Sequence, residues 1–229
     1  MKNLKGSYFK SRGPNFGFSL IELLVVMGII TIVISFALPA SIGIMRGSGL
    51  TQAAQLLTEQ VSLARQQALS RNRSIEVRFY KYGDPESPGE DATKPDTGRF
   101  RATQCFEISE YGSATPLGKV YKFSASVFVD EGEYSTLISD SSQLPLKEAK
   151  GVDIALPGGV ERNYKYVAFR FQPDGSTNLP PVGGQANGNW FITLLNVGDE
   201  KKEIEKINFF TLQIDPVSGS TKSYRPNAG

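Results

Sequence analysis

Residues 18–38 read FSLIELLVVMGIITIVISFAL, an apolar run of 21 residues broken by one charge, Glu22. At about 1.5 Å of rise per residue, a helix of this length crosses the roughly 30 Å hydrocarbon core of a bilayer. The 17 residues before it carry Lys2, Lys5, Lys10 and Arg12 and no acid. A basic arm stays on the cytoplasmic side, so the rest of the chain is expected to face outward. A secretory signal would have a shorter apolar run and a small-residue cleavage site after it, and Ala37-Leu38-Pro39-Ala40 fits that poorly. A plain signal anchor accounts for length and charge bias but not for Glu22. A carboxylate in an apolar segment is costly when unpaired, which marks it as functional.

Composition narrows the function classes. The chain has 229 residues and a formal net charge of +2. Setting aside the four basic residues of the arm leaves 21 Lys and Arg against 23 Asp and Glu, a balance of −2. That argues against a nucleic acid partner, which calls for a basic excess. There is no histidine, so the commonest general base and metal ligand are missing. Cys105 is the single cysteine and can form neither an internal disulfide nor a cysteine-rich zinc site. It is read as a small buried hydrophobe on a strand. No nucleophile motif or phosphate loop is found, so the chain is read as no enzyme, with no cofactor and no metal.

The string Gly17-Phe18-Ser19-Leu20-Ile21-Glu22 resembles the type IV prepilin signal, G-F-[ST]-L-x-E. The resemblance implies a membrane peptidase that cuts between Gly17 and Phe18 and methylates the new N-terminus of Phe18. It also implies that Glu22 is needed for assembly and that Pro39 falls where many pilins have a helix-breaking proline. The physical logic agrees. Glycine at the cut lets the backbone enter a peptidase site in extended form. Cleavage leaves a cationic amine on Phe18, with Glu22 four residues on. In the apolar centre of a filament, Glu22 would pair with the amine of a neighbouring subunit, where a low dielectric strengthens the attraction.

Beyond Pro39 the pattern predicts a soluble half-helix to about Asn72. Gly43, Gly47 and Gly49 soften its start, and Leu50, Ala54, Leu57, Val61, Ala64 and Ala68 form a narrow stripe. Strands are expected over 74–81, 99–109, 119–130, 164–171, 190–197 and 207–215, with a closing hairpin to 220–224. The expected class is α+β: a long N-terminal helix, membrane-spanning in its first half, packed on an antiparallel sheet, pilin-like. The expected divisions are a cleaved leader 1–17, a transmembrane helix 18–38, a soluble half-helix 39–72 and a β-rich periplasmic domain 73–229.

The segment 57–72 followed by a strand, with its Ala64-Arg65 pair, is similar to the GspH/FimT group of minor pseudopilins. Phe171-Gln172-Pro173-Asp174-Gly175-Ser176 resembles that group's internal turn, and Pro216-Val217-Ser218-Gly219 the terminal turn of many pseudopilins. The stretches 77–86 and 170–181 look most like the Verru_Chthon cassette D proteins. The implied protein is a minor pseudopilin of a type II secretion-like system, in the inner membrane with its C-terminal domain in the periplasm. Its partners would be the prepilin peptidase and other pilins or pseudopilins. The alternative is a minor type IV pilin that binds DNA for uptake, for which Arg65, Arg71, Arg73, Lys222 and Arg225 are the candidate polyanion contacts. Two features are given plain readings. The acidic loop 82–97 fits no calcium-loop spacing and is read as solvated, and Trp190 is read as core.

Overall fold

The computed structural model describes residues 18–85, 87–139, 144–150, 163–180, 190–200, 202 and 207–226, side chains at 37–46, 149–150 and 163 excepted. The chain divides into two units, Met1–Gly43 and Ile44–Gly229. One helix, α1, is assigned over Leu20–Arg71. The helical assignment continues through Pro39, so the break expected there is not a loss of helix. A proline inside a helix removes one backbone donor, and its ring crowds the carbonyl four residues back.

In the first unit the side chains from Leu20 to Phe36 are exposed, including Leu20, Leu24, Ile32 and Phe36. A helix that is apolar all round has no polar face to give to water. Its two hydroxyl residues are satisfied internally: Thr31 Oγ1 donates to Met27 O at 2.8 Å and Ser35 Oγ to Thr31 O at 2.8 Å. Among the described residues, no helix is long and apolar enough to cross a membrane. The expected span, 18–38, runs beyond Phe36 into side chains outside that set.

The second unit is antiparallel sheet around the rest of α1. The strands are β1 (Ser74–Tyr82), β2 (Arg99–Ile108), β3 (Ala114–Pro116), β4 (Tyr121–Lys122), β5 (Val127–Val129), β6 (Lys147–Lys150), β7 (Asn163–Phe171), β8 (Trp190–Asn196), β9 (Phe210–Ile214) and β10 (Thr221–Tyr224). Their order is β10-β9-β8-β5-β2-β1-β7-β6, with β3 and β4 also paired to β2. The strand expected over 119–130 is two short ones. A turn at Ser124–Val127, closed by Val127 N–H on Ser124 O at 2.8 Å, carries the chain from β4 to β5. The strand expected over 207–215 begins only at Phe210. Two strands, β3 and β6, were not anticipated. They are short, with little apolar signal, and the side chains of β3 and of Lys147 and Glu148 in β6 are exposed.

The helical stripe is buried as its spacing predicts. Leu57, Val61, Ala64 and Ala68 are fully buried, in one cluster with Val77, Phe79, Phe169, Phe171, Ile192, Leu212 and Ile214. Small side chains along the stripe let the helix lie close on the sheet. Each large apolar side chain buried there contributes about 1.5–3 kcal/mol. Cys105 sits in this cluster on β2, as expected, and burial pushes its thiol up to about 12.

The other face of the sheet is also covered, which polarity alternation in β1 did not foretell. Tyr80, Tyr82, Phe106 and Tyr164 are buried there, with Tyr80 and Tyr164 edge-on at 5.4 Å. Arg78 lies 3.9 Å over the Phe106 ring and donates to Glu76 at 2.6 Å, while Arg170 donates to Glu76 at 2.8 Å. Burial works to raise the Glu76 carboxyl, but the hydrogen bonds from Arg170 and Arg78 outweigh it and hold it below 4.5. A depressed carboxyl adds stability above its unfolded value and loses it as pH falls through the folded value. Glu76→Gln is therefore expected to cost about 2 kcal/mol at neutral pH and to flatten the loss of stability below pH 4.5. Urea midpoints across the acid range check this, and an unchanged acid slope would count against it.

Candidate functional site

The N-terminal motif is built around one helix start. Gly17 lies outside the described residues, and Phe18 and Ser19 precede the first helical residue, Leu20. Ser19 Oγ accepts the Glu22 N–H at 3.1 Å, and Ser19 O accepts the Leu23 N–H at 3.1 Å. Ser19 is thus the N-cap, and Glu22 stands at the third position in the capping-box spacing S-x-x-E. That spacing is plain in the sequence, and its capping role went unread beside the processing motif. Glu22 in the first turn also faces the positive end of the helix dipole.

A second constellation lies where α1 meets two turns. Arg65 is one of the candidate polyanion contacts. Its Nε donates to Gly175 O at 3.3 Å and to Ser218 O at 3.3 Å, and its Nη2 donates to Ser218 O at 3.1 Å. The turns are joined directly as well, through Thr177 N–H and Oγ1 on Pro216 O at 3.1 and 2.8 Å. Both need glycine. Gly175 has φ +84° and Gly219 φ +64°, and a Cβ on Gly219 would fall 2.1 Å from Gly175 O. The three short segments that carried the family resemblance after the signal, at 64–65, 171–176 and 216–219, therefore meet at one arginine. Arg65→Ala is expected to cost about 1–3 kcal/mol by leaving two carbonyls without their charged donor. Arg65→Lys should restore only part of that, since an ammonium lacks the fork. Denaturant midpoints of the two variants decide it, and equal midpoints for wild type and Arg65→Ala would refute the tie.

The remaining candidate polyanion residues do not form one patch. Arg71 pairs with Glu107 at 2.9 Å and Arg73 with Glu110 at 2.8 Å. Lys222 lies by Asp215 in a small polar notch, and Arg225 donates to Thr51 Oγ1 at 3.0 Å. Thr51 and Arg71 are 20 residues apart on α1, about 30 Å of helix.

The acidic loop is not simply solvated. The Glu90 side chain is 5% exposed and takes a two-pronged ion pair from the buried Arg101, with Nη1 to Oε2 at 2.9 Å and Nη2 to Oε1 at 2.8 Å. Arg101 is the extra residue of a bulge: Tyr80 pairs with Ala102 and Lys81 with Phe100. A bulge re-aims a side chain, here into the loop. Among the described residues, no group of three or more acids, cysteines or histidines could hold a metal. Trp190 is core, its Nε1 donating to Pro180 O at 3.0 Å.

Residues 13–38 match the family described as the prokaryotic N-terminal methylation motif. No curated protein matches the chain. Two solved minor pilin-type structures are similar. The minor pseudopilin EpsH of the Vibrio cholerae type 2 secretion system is 9% identical over 78% of this chain and 98% of its own, with a TM-score of 0.41. The type IV minor pilin FimU of Pseudomonas aeruginosa is 15% identical over 78% and 92%, with a TM-score of 0.39. The chain is prepilin-like: it carries the N-terminal methylation motif at the head of a helix that leads into an antiparallel sheet domain.

Proposed function

We propose that the chain is a minor pseudopilin of the GspH/FimT kind, a structural subunit of a type II secretion-like pseudopilus. A prepilin peptidase cuts it between Gly17 and Phe18 and methylates Phe18. The processed subunit is anchored in the inner membrane by residues 18–38, with 73–229 in the periplasm, and joins other pseudopilins through Glu22. The match of residues 13–38 to the methylation motif carries this reading. A subunit of this kind works by assembling, which fits a chain without histidine. DNA uptake is the weaker reading, because Arg71 and Arg73 are paired to acids and Arg65 to backbone carbonyls.

Mass spectrometry of the protein extracted from cell envelopes tests the proposal. The expected N-terminus is N-methylated Phe18. A start at Met1 or beyond Pro39 would overturn it. Glu22→Ala should be cut and inserted normally, while cross-linking to neighbouring subunits falls at least about tenfold, because a pair in low dielectric is worth well over 1.4 kcal/mol. Undiminished cross-linking would remove Glu22 from assembly and leave processing standing.

A further inference from the structure

A groove of about 400 Å³ opens along the free edge of the sheet, between α1 and β10. Its floor is Ala54 and Phe210, and its rim carries Thr51 and Glu59 on the helix and Ser223 and Arg225 on the strand side. Among the described residues, β10 is the end strand and pairs only with β9. Asp215 N–H donates to Ser220 O at 2.9 Å, and bonded pairs recur at every second residue of an antiparallel ladder. Lys222 and Tyr224 are therefore bonded to β9, and the backbone groups of Thr221 and Ser223 turn outward. The edge is short and carries Lys222, as protected edges do, but the groove beside it is mainly apolar.

Charge is ordered along the groove. Arg225 stands at the Thr51 end, held by that hydroxyl at 3.0 Å, and has no acidic partner among the described residues. Glu59 stands at the other end and has no basic partner among them. The eight steps from Thr51 to Glu59 span about 12 Å of helix, the length of about four residues of strand. α1 runs opposite to β10, since Thr51 meets Arg225 while Arg65 meets Ser218.

We infer that this groove receives one extended strand from a different polypeptide, added antiparallel to β10, with an acidic residue at its N-terminal end beside Arg225 and a basic residue at its C-terminal end beside Glu59. Backbone bonds to Thr221 and Ser223 hold the strand, and a small apolar side chain fills the floor over Ala54 and Phe210. A second β10 is a poor occupant. The segment 221–225 has only basic charges, so self-pairing brings like charges together. The inference goes beyond the filament reading and requires neither cleavage nor assembly.

The probe is a synthetic peptide, acetyl-Asp-Thr-Val-Thr-Lys-amide, whose Asp, Val and Lys share one face, against its charge-reversed partner, acetyl-Lys-Thr-Val-Thr-Asp-amide. Binding to the full chain in detergent is read by fluorescence anisotropy. The acid-first peptide is expected to bind about tenfold more tightly. The double variant Glu59→Lys with Arg225→Glu should reverse that preference. Ser223→Pro removes an outward N–H without touching the bonds to β9, so it should abolish binding of both peptides and leave the melting temperature unchanged. Equal binding of the two peptides, no binding of either, or binding that survives Ser223→Pro overturns the proposal. So does chain self-association that Ser223→Pro abolishes, which would make a second copy the occupant.

Discussion

Val61→Asp is expected to unfold the second unit. Val61 is fully buried midway along the stripe, in one cluster with the aromatic residues of β1 and β7. A carboxylate placed there has no cation within the cluster to pair with, and an isolated buried charge costs far more than a lost methyl. The expected loss exceeds about 5 kcal/mol, comparable with the whole stability of an ordinary domain. Val61→Ala is the control, at about 2 kcal/mol. Trp190 is the only tryptophan and belongs to the same cluster, so its emission should shift to the red in the first variant and hold in the second. An unshifted spectrum in Val61→Asp would show that the stripe does not face the sheet.

That prediction could be written from sequence alone, because an apolar stripe at three- and four-residue spacing has one reading. β1, β2, β7 and β8 were similarly legible as long runs of β-branched and aromatic residues. What resisted reading was whatever depends on a partner far along the chain. Arg65 is a polar residue beside a stripe until two turns, 110 and 153 residues later, bring carbonyls to it. Arg101 is one more residue of β2 until the bulge turns it. The second buried face was missed for the same reason, since the strand shows which side chains alternate and not what will cover them.

Glu90→Gln is expected to be the costliest change outside the helix–sheet core, at about 3–5 kcal/mol. It leaves the almost wholly buried Arg101 guanidinium with one acceptor oxygen in place of two and no charge at position 90, beside a more distant Asp84 carboxylate at 3.8 Å. Glu90 also accepts the Asp84 N–H at 2.9 Å, so the loop 83–98 should lose its fixed path. Limited proteolysis should then cut within that loop before the rest of the unit melts. Replacing both partners together, Arg101→Met with Glu90→Leu, should recover most of the loss, because two buried charges are costly to desolvate. If the single variant melts with the wild type, the pair contributes nothing and the loop is held by its turns alone.

The tie at Arg65 also bears on the order in which the protein is made. The helix that carries it is synthesised first, while Ser218, which accepts two of its hydrogen bonds, arrives 153 residues later. Contacts between such distant segments form last, once the intervening chain has been gathered. A polypeptide halted before Ser218 leaves Arg65 without the carbonyl that accepts two of its three hydrogen bonds, and leaves the helix stripe without Leu212 and Ile214 whenever the halt precedes β9. Arrival of the turn at Ser218 is thus recorded 153 residues upstream, and a copy that lacks it offers a protease a loosened helix in place of a closed one.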